Sequence, residues 1–193
     1  MRARDGEQMR RTAAALSVIL MAFAAGCAPR YQTEMLAYSS DQPYAVGPGD
    51  RLRIIVFGQD SLSNSYSVDA TGHISMPLIG IVSVNGMSTA GIQRAIEERL
   101  RNGYLREPRV SAEVEAYRPF FILGEVTTAG QYPYVNGMTV TTAVAIAGGF
   151  TPRASQSYAV LTRIVDGRQV TGEVDMSQPI QPGDTVQIRE RFF

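Results

Sequence analysis

The chain writes one phrase twice: Gly-Pro-Gly-Asp-Arg-Leu-Arg-Ile at 47–54 and Gln-Pro-Gly-Asp-Thr-Val-Gln-Ile at 181–188. Each joins Pro-Gly-Asp to a stretch in which polar and apolar residues alternate. Proline presets φ at the first turn position, glycine accepts positive φ at the second, and an aspartate side chain bonds nearby amides. The two-residue period that follows is that of a strand with one buried face. Pro48, Gly49 and Asp50, and again Pro182, Gly183 and Asp184, are therefore predicted as structural turns that launch strands. The alternative, Asp50 and Asp184 as ligands or acids, is the weaker reading, because turn chemistry accounts for all three residue types.

The start of the chain has a different character. Arg2, Arg4, Arg10 and Arg11 precede an uncharged run of 14 residues, Thr12 to Ala25. A basic region, a short apolar stretch and small residues at its end describe a secretory signal, assigned to residues 1–26. The run is shorter than the ~20 residues of a spanning helix. Asp5 and Glu7 are unusual in such a basic region, and a start at Met9 rather than Met1 explains them. Cys27, the only cysteine, follows Ala24, Ala25 and Gly26. It cannot form an internal disulfide, and its position resembles that of a lipobox cysteine. Lipidation at Cys27 is the expectation, and plain cleavage beside a bystander cysteine is the alternative. Residues 27–43 are polar and unpatterned and read as a lipidated tether. From Cys27 onward there are 14 arginines against 16 acids, about −2 in charge. That balance excludes a nucleic-acid binder that works by net charge.

Between the two phrases short strands surround two helices. Arg51 to Phe57 is β-branched and aromatic. Residues 65–84 read as strand, turn at 70–72 and strand, with Pro77 at an edge or bulge and a break at Gly80. Residues 87–103 are the clearest helix: Ser88 as N-cap, Ile92, Ala95, Ile96 and Leu100 on one stripe, and Gly103 just past the end. Its charges read as a solvated face. Pro108 to Tyr117 alternates as a half-buried strand. A second unit begins at Arg118, with a strand from Phe120 and a short helix capped by Thr139 and ended at Gly148-Gly149. A hairpin turning at Asp166-Gly167 and the final strand complete it. The predicted class is α+β: strands plus one helix at 44–117, then a β-grasp-like domain at 118–193.

Catalytic signals are missing. His73 is the only histidine. No His/Cys/Asp grouping has metal-ligand spacing, and neither a nucleophile elbow nor a phosphate loop is present. Glu113 and Glu115 share one strand face, which a solvated strand explains. The chain is expected not to be an enzyme, with no cofactor and no metal.

Taken in order, "YAVGPGDRLRIIVFG", "PLIG", the helix and "YRPFFILGEVTTAGQYPYVNGMTVTTAVAIAGGF" resemble the outer-membrane polysaccharide export (Wza-type) family. The first half resembles its polysaccharide export domain and the second its soluble-ligand-binding (SLBB) β-grasp domain. The resemblance implies a lipoprotein on the periplasmic face of the outer membrane that assembles into homo-oligomeric rings around a capsule or exopolysaccharide path. It implies an inner-membrane polysaccharide co-polymerase as partner, often tied to a tyrosine kinase. Pro77 to Gly80 is the family signature, read here as a structural turn. Arg118, Tyr132 and Tyr134 are candidates to face the glycan; the preferred alternative is that the tyrosines pack the domain seam. Longer relatives carry a C-terminal membrane-crossing helix, and no such segment follows Gln187 to Phe193 here. The expectation is that the protein does not form the outer-membrane pore by itself: either a separate outer-membrane β-barrel supplies it, or the ring is only a periplasmic conduit. Two further readings stand behind this one: a monomeric periplasmic glycan-binding lipoprotein, separable by ring formation, and an envelope hydrolase using Glu113, Glu115 and Glu125, which unchanged function on their substitution would dismiss.

Overall fold

The computed structural model of the chain describes Leu36, residues 43–165 and residues 167–191. The leader, Cys27 with most of the tether, Asp166 and Phe192-Phe193 lie outside the described residues.

In the first half, β1 (Arg51–Val56) lies between β2 (Asn64–Ser67) and β5 (Val110–Ala116), antiparallel to both. Alternation along β1 buries Leu52, Ile54 and Val56 and exposes Arg51, Arg53 and Ile55. Helix α1 (Thr89–Arg101) covers the apolar side with Ile92, Ile96 and Leu100. Full burial of each such side chain contributes ~1.5–3 kcal/mol. The helix starts where expected, with the Ser88 hydroxyl accepting the Gly91 amide at 3.2 Å. Its polar face is not only solvated: the Glu97 carboxylate accepts the Val110 amide at 3.0 Å, and Gln93 donates to the Ala112 carbonyl at 3.4 Å. The helix is thereby tied to β5.

Strands β3 (His73–Met76) and β4 (Gly80–Ser83) form a separate hairpin with Pro77, Leu78 and Ile79 at its tip. Leu78 is exposed at φ 68°, a left-handed conformation that costs an L-residue ~1–2 kcal/mol. The Arg99 guanidinium donates to the Ile81 carbonyl and ties the hairpin to the end of α1.

The second half is a five-stranded mixed sheet. Its strands are β6 (Phe120–Gly124), β7 (Gly130–Tyr132), β8 (Tyr158–Val165), β9 (Arg168–Asp175) and β10 (Thr185–Ile188). Their spatial order is β7-β6-β10-β8-β9, with β10 parallel to β6 and antiparallel to β8. The last strand thus fills the middle beside the first, which is the β-grasp arrangement. Helix α2 (Val140–Ile146) packs on one face through Val140, Ala143 and Val144. Thr139 and Thr142 cap it reciprocally, a capping box. The architecture is α+β: a small domain of strands and one helix followed by a β-grasp domain, each with its own apolar cluster.

Leu36 is the unexpected member of the second cluster. It falls in the stretch read as a tether, yet it is 1% exposed among the β-grasp core residues.

Candidate functional site

The two Pro-Gly-Asp turns have the same local build. In the first, Gly49 has φ 90°, the Asp50 amide donates to the Gly47 carbonyl at 3.2 Å, and the Asp50 carboxylate accepts the Gly47 amide at 2.8 Å. In the second, Gly183 has φ 87°, the Asp184 amide donates to the Gln181 carbonyl at 3.1 Å, and the Asp184 carboxylate accepts the Gln181 amide at 2.7 Å. Proline and glycine set the turn, and the aspartate closes it from the side chain.

Each carboxylate is also buried and paired. Asp50 is 0% exposed and Asp184 1%. A buried carboxylate needs a cation and hydrogen bonds to offset its lost hydration. For Asp50 these come from the Arg118 amide at 2.8 Å, Arg118 Nη1 at 3.2 Å and the Tyr44 hydroxyl at 2.6 Å. Burial, reinforced by the bond to Asp50, pushes the Tyr44 phenol far above the ordinary tyrosine range. The hydroxyl therefore stays protonated and able to donate. For Asp184 the partner is Arg163, with Nε at 2.9 Å and Nη2 at 2.7 Å, a two-pronged grip on both oxygens. Burial raises the Asp184 carboxyl, and the Arg163 guanidinium and Gln181 amide pull against that rise.

Arg118 joins the two turns. Its Nη1 reaches the first turn at Asp50, while its Nε donates to the Pro182 carbonyl of the second at 3.0 Å. The Gly183 amide donates to the Pro119 carbonyl at 3.1 Å. A Cβ on Gly47 would lie 2.7 Å from Arg118 Nη1, and one on Gly183 would lie 2.9 Å from Arg118 Nε. The glycines leave room for the arginine, which runs between the turns. The rings of Tyr44, Tyr117 and Tyr134 stack edge to face beside it, at centroid distances of 4.9 and 5.4 Å.

The residues singled out from sequence fall into separate places. Arg118, Asp50 and Tyr134 meet at the seam between the two clusters. Tyr132 lies on the Phe120 ring at 6.0 Å and donates to the Thr128 carbonyl at 2.7 Å. Pro77 and Gly80 bracket the hairpin tip. Glu113 and Glu115 are exposed on β5, and Glu125 accepts the Thr151 hydroxyl. His73 belongs to a turn in which the Asp69 carboxylate accepts its amide at 2.9 Å and that of Thr71 at 2.8 Å. The His73 amide first, then the Thr71 hydroxyl and amide, hold the Asp69 carboxyl below the usual carboxylate range. Among the described residues no cluster of three or more His, Cys, Asp or Glu is placed to hold a metal ion. Among them no helix is long and apolar enough to cross a membrane, which says nothing of strands.

Sequence reasoning passed over Arg163, Tyr44 and Leu36. Arg163 had a readable signal: it occupies an inward position of β8, two residues from buried Leu161. An arginine at such a position requires a buried acid, and Asp184 is the one launched into the neighbouring strand.

Comparison with known proteins matches these two domains in the same order. Residues 39–115 match the family described as polysaccharide biosynthesis/export protein, and residues 119–175 match the SLBB domain. The exopolysaccharide production protein ExoF of Rhizobium meliloti is 31% identical over 118 residues, covering 55% of this chain and 28% of that protein. The EPS I polysaccharide export outer membrane protein EpsA of Ralstonia nicotianae is 29% identical over 188 residues, 77% of this chain and 48% of that protein. The polysialic acid transport protein KpsD of Escherichia coli is 26% identical over 136 residues, 69% of this chain and 24% of that protein. The chain thus spans between about a quarter and a half of the length of these relatives. The chain thus carries a domain of the polysaccharide biosynthesis/export family at 39–115 and an SLBB domain at 119–175, joined in series across a seam bridged by Arg118.

Proposed function

We propose that the chain is a component of a polysaccharide export conduit, anchored by lipid at Cys27 on the periplasmic side of the outer membrane. The observation that carries this reading is the succession of the two family matches over two packed domains. Relatives named for export at the outer membrane and for polysialic acid transport support the compartment and the class of cargo. In this reading the chain does no chemistry. It self-associates into a ring, polymer passes along the ring, and a co-polymerase of the inner membrane, tied to a tyrosine kinase, delivers the polymer. The glycan-facing role of Arg118, Tyr132 and Tyr134 gains no support from their contacts, which are with protein groups.

Native mass spectrometry of the full-length protein, extracted in mild detergent and with its N-terminus read, tests the assembly. A closed oligomer of chains beginning at a lipidated Cys27 is the expected result. A monomer with an unmodified N-terminus overturns both anchor and ring.

A further inference from the structure

Leu36 is held as a bound peptide residue is held. Its side chain is 1% exposed in the apolar cluster of the β-grasp domain. Its carbonyl accepts two side-chain donors from that domain, Arg163 Nη1 at 3.2 Å and Gln178 Nε2 at 3.0 Å. An apolar anchor in a pocket, with main-chain bonds to fix its register, is the usual chemistry of peptide capture.

The donor Arg163 has a second task. Its side chain is buried, and the guanidinium also donates to both oxygens of Asp184 and to the Pro179 carbonyl. Asp184 closes the second turn, and that turn meets Arg118 and Pro119 through the Pro182 carbonyl and the Gly183 amide. One buried guanidinium therefore holds both the Leu36 carbonyl and the turn that forms the seam. If Leu36 leaves, Nη1 loses the carbonyl it bonds, and a buried N–H is left without an acceptor unless the guanidinium shifts or water reaches it. The grip on Asp184 then loosens.

We propose that the β-grasp domain carries a receptor site for the chain's own N-terminal segment, with Leu36 as its ligand, and that filling this site tightens the seam between the domains. The inference goes beyond the export reading and holds whether or not Cys27 is lipidated.

Hydrogen–deuterium exchange of the full-length protein tests it, read at the Arg118 amide, which bonds Asp50 across the seam, and at the Gly183 amide, by which the second turn bonds Pro119 beside it. The amides of the β8–β9 ladder serve as the control for folding of the β-grasp domain, which holds Leu36. Leu36→Asp is expected to speed exchange at Arg118 and Gly183 at least tenfold while the β8–β9 amides stay slow. Gln178→Ala removes one carbonyl contact without touching the apolar cluster, and it is expected to give a smaller change of the same sign. It decides the matter if Leu36→Asp does not fold. A synthetic peptide of residues 31–42, at millimolar concentration, is expected to restore slow exchange to Leu36→Asp, and the same peptide with alanine for Leu36 is not. Unchanged seam exchange in the variants overturns the coupling. Absence of rescue, or equal rescue by both peptides, overturns the receptor site. Seam protection in the wild type that rises with protein concentration means that a second copy supplies Leu36, and overturns the assignment within one chain.

Discussion

Asp50→Ala lowers the unfolding free energy by roughly 3 kcal/mol and separates the unfolding of the two domains. The carboxylate accepts the Gly47 amide, the Arg118 amide and the Tyr44 hydroxyl, and an alanine accepts none of them. Each donor left unmatched costs about 1–3 kcal/mol. Two effects offset part of the sum. Arg118 is partly exposed and regains water, and the folded state no longer has to desolvate a carboxylate. Asp50→Asn keeps the shape but turns an N–H toward a set of donors, so it recovers little. Urea unfolding followed by two probes, one in each domain, reads the effect. Coincident transitions in the wild type and resolved ones in Asp50→Ala are expected. A loss under about 1 kcal/mol with one shared transition contradicts the account of the seam.

Gly124→Ala costs more, about 4 kcal/mol or above. Gly124 has φ 86° at the end of β6, and an added Cβ would lie 2.0 Å from the Ile188 carbonyl oxygen. That oxygen belongs to β10, the central strand, and already accepts the Glu125 amide at 2.9 Å. Backbone cannot swing away as a side chain can, so β6 and β10 must part at the end of their parallel ladder. Gly58→Ala is the matched control. It too has positive φ, 75°, but a Cβ there meets nothing within 4 Å. It loses only the left-handed penalty of ~1–2 kcal/mol. Equal losses in the two variants, measured by denaturant unfolding, contradict the close approach.

Much of the local structure was readable because its causes are local. The Ser88 and Thr139 caps, the glycines after both helices and the glycine of the β8–β9 turn act within a few residues. The Pro-Gly-Asp turns are likewise complete within four residues, so both were legible. What they are paired with was not. Asp50 meets Arg118 across 68 positions and Asp184 meets Arg163 across 21, and no periodicity encodes such distances. The parallel pairing of β10 with β6 is hidden for the same reason. Leu36 was missed because one leucine in a polar stretch gives no period, and its burial is decided entirely by a pocket built elsewhere. The charged face of α1 was read as solvated, whereas Glu97 and Arg99 cap neighbouring strands. Charge pattern alone cannot tell water from an unpaired backbone amide.

The central claim is export, and the location of the polymer tests it most directly. Capsular or exopolysaccharide is measured at the cell surface and in the periplasm of a strain with the chain deleted, and again after the chain is restored. Polymer that is still made, is trapped inside without the chain and returns to the surface with it is the predicted result. Surface polymer that is unchanged in amount without the chain contradicts the account.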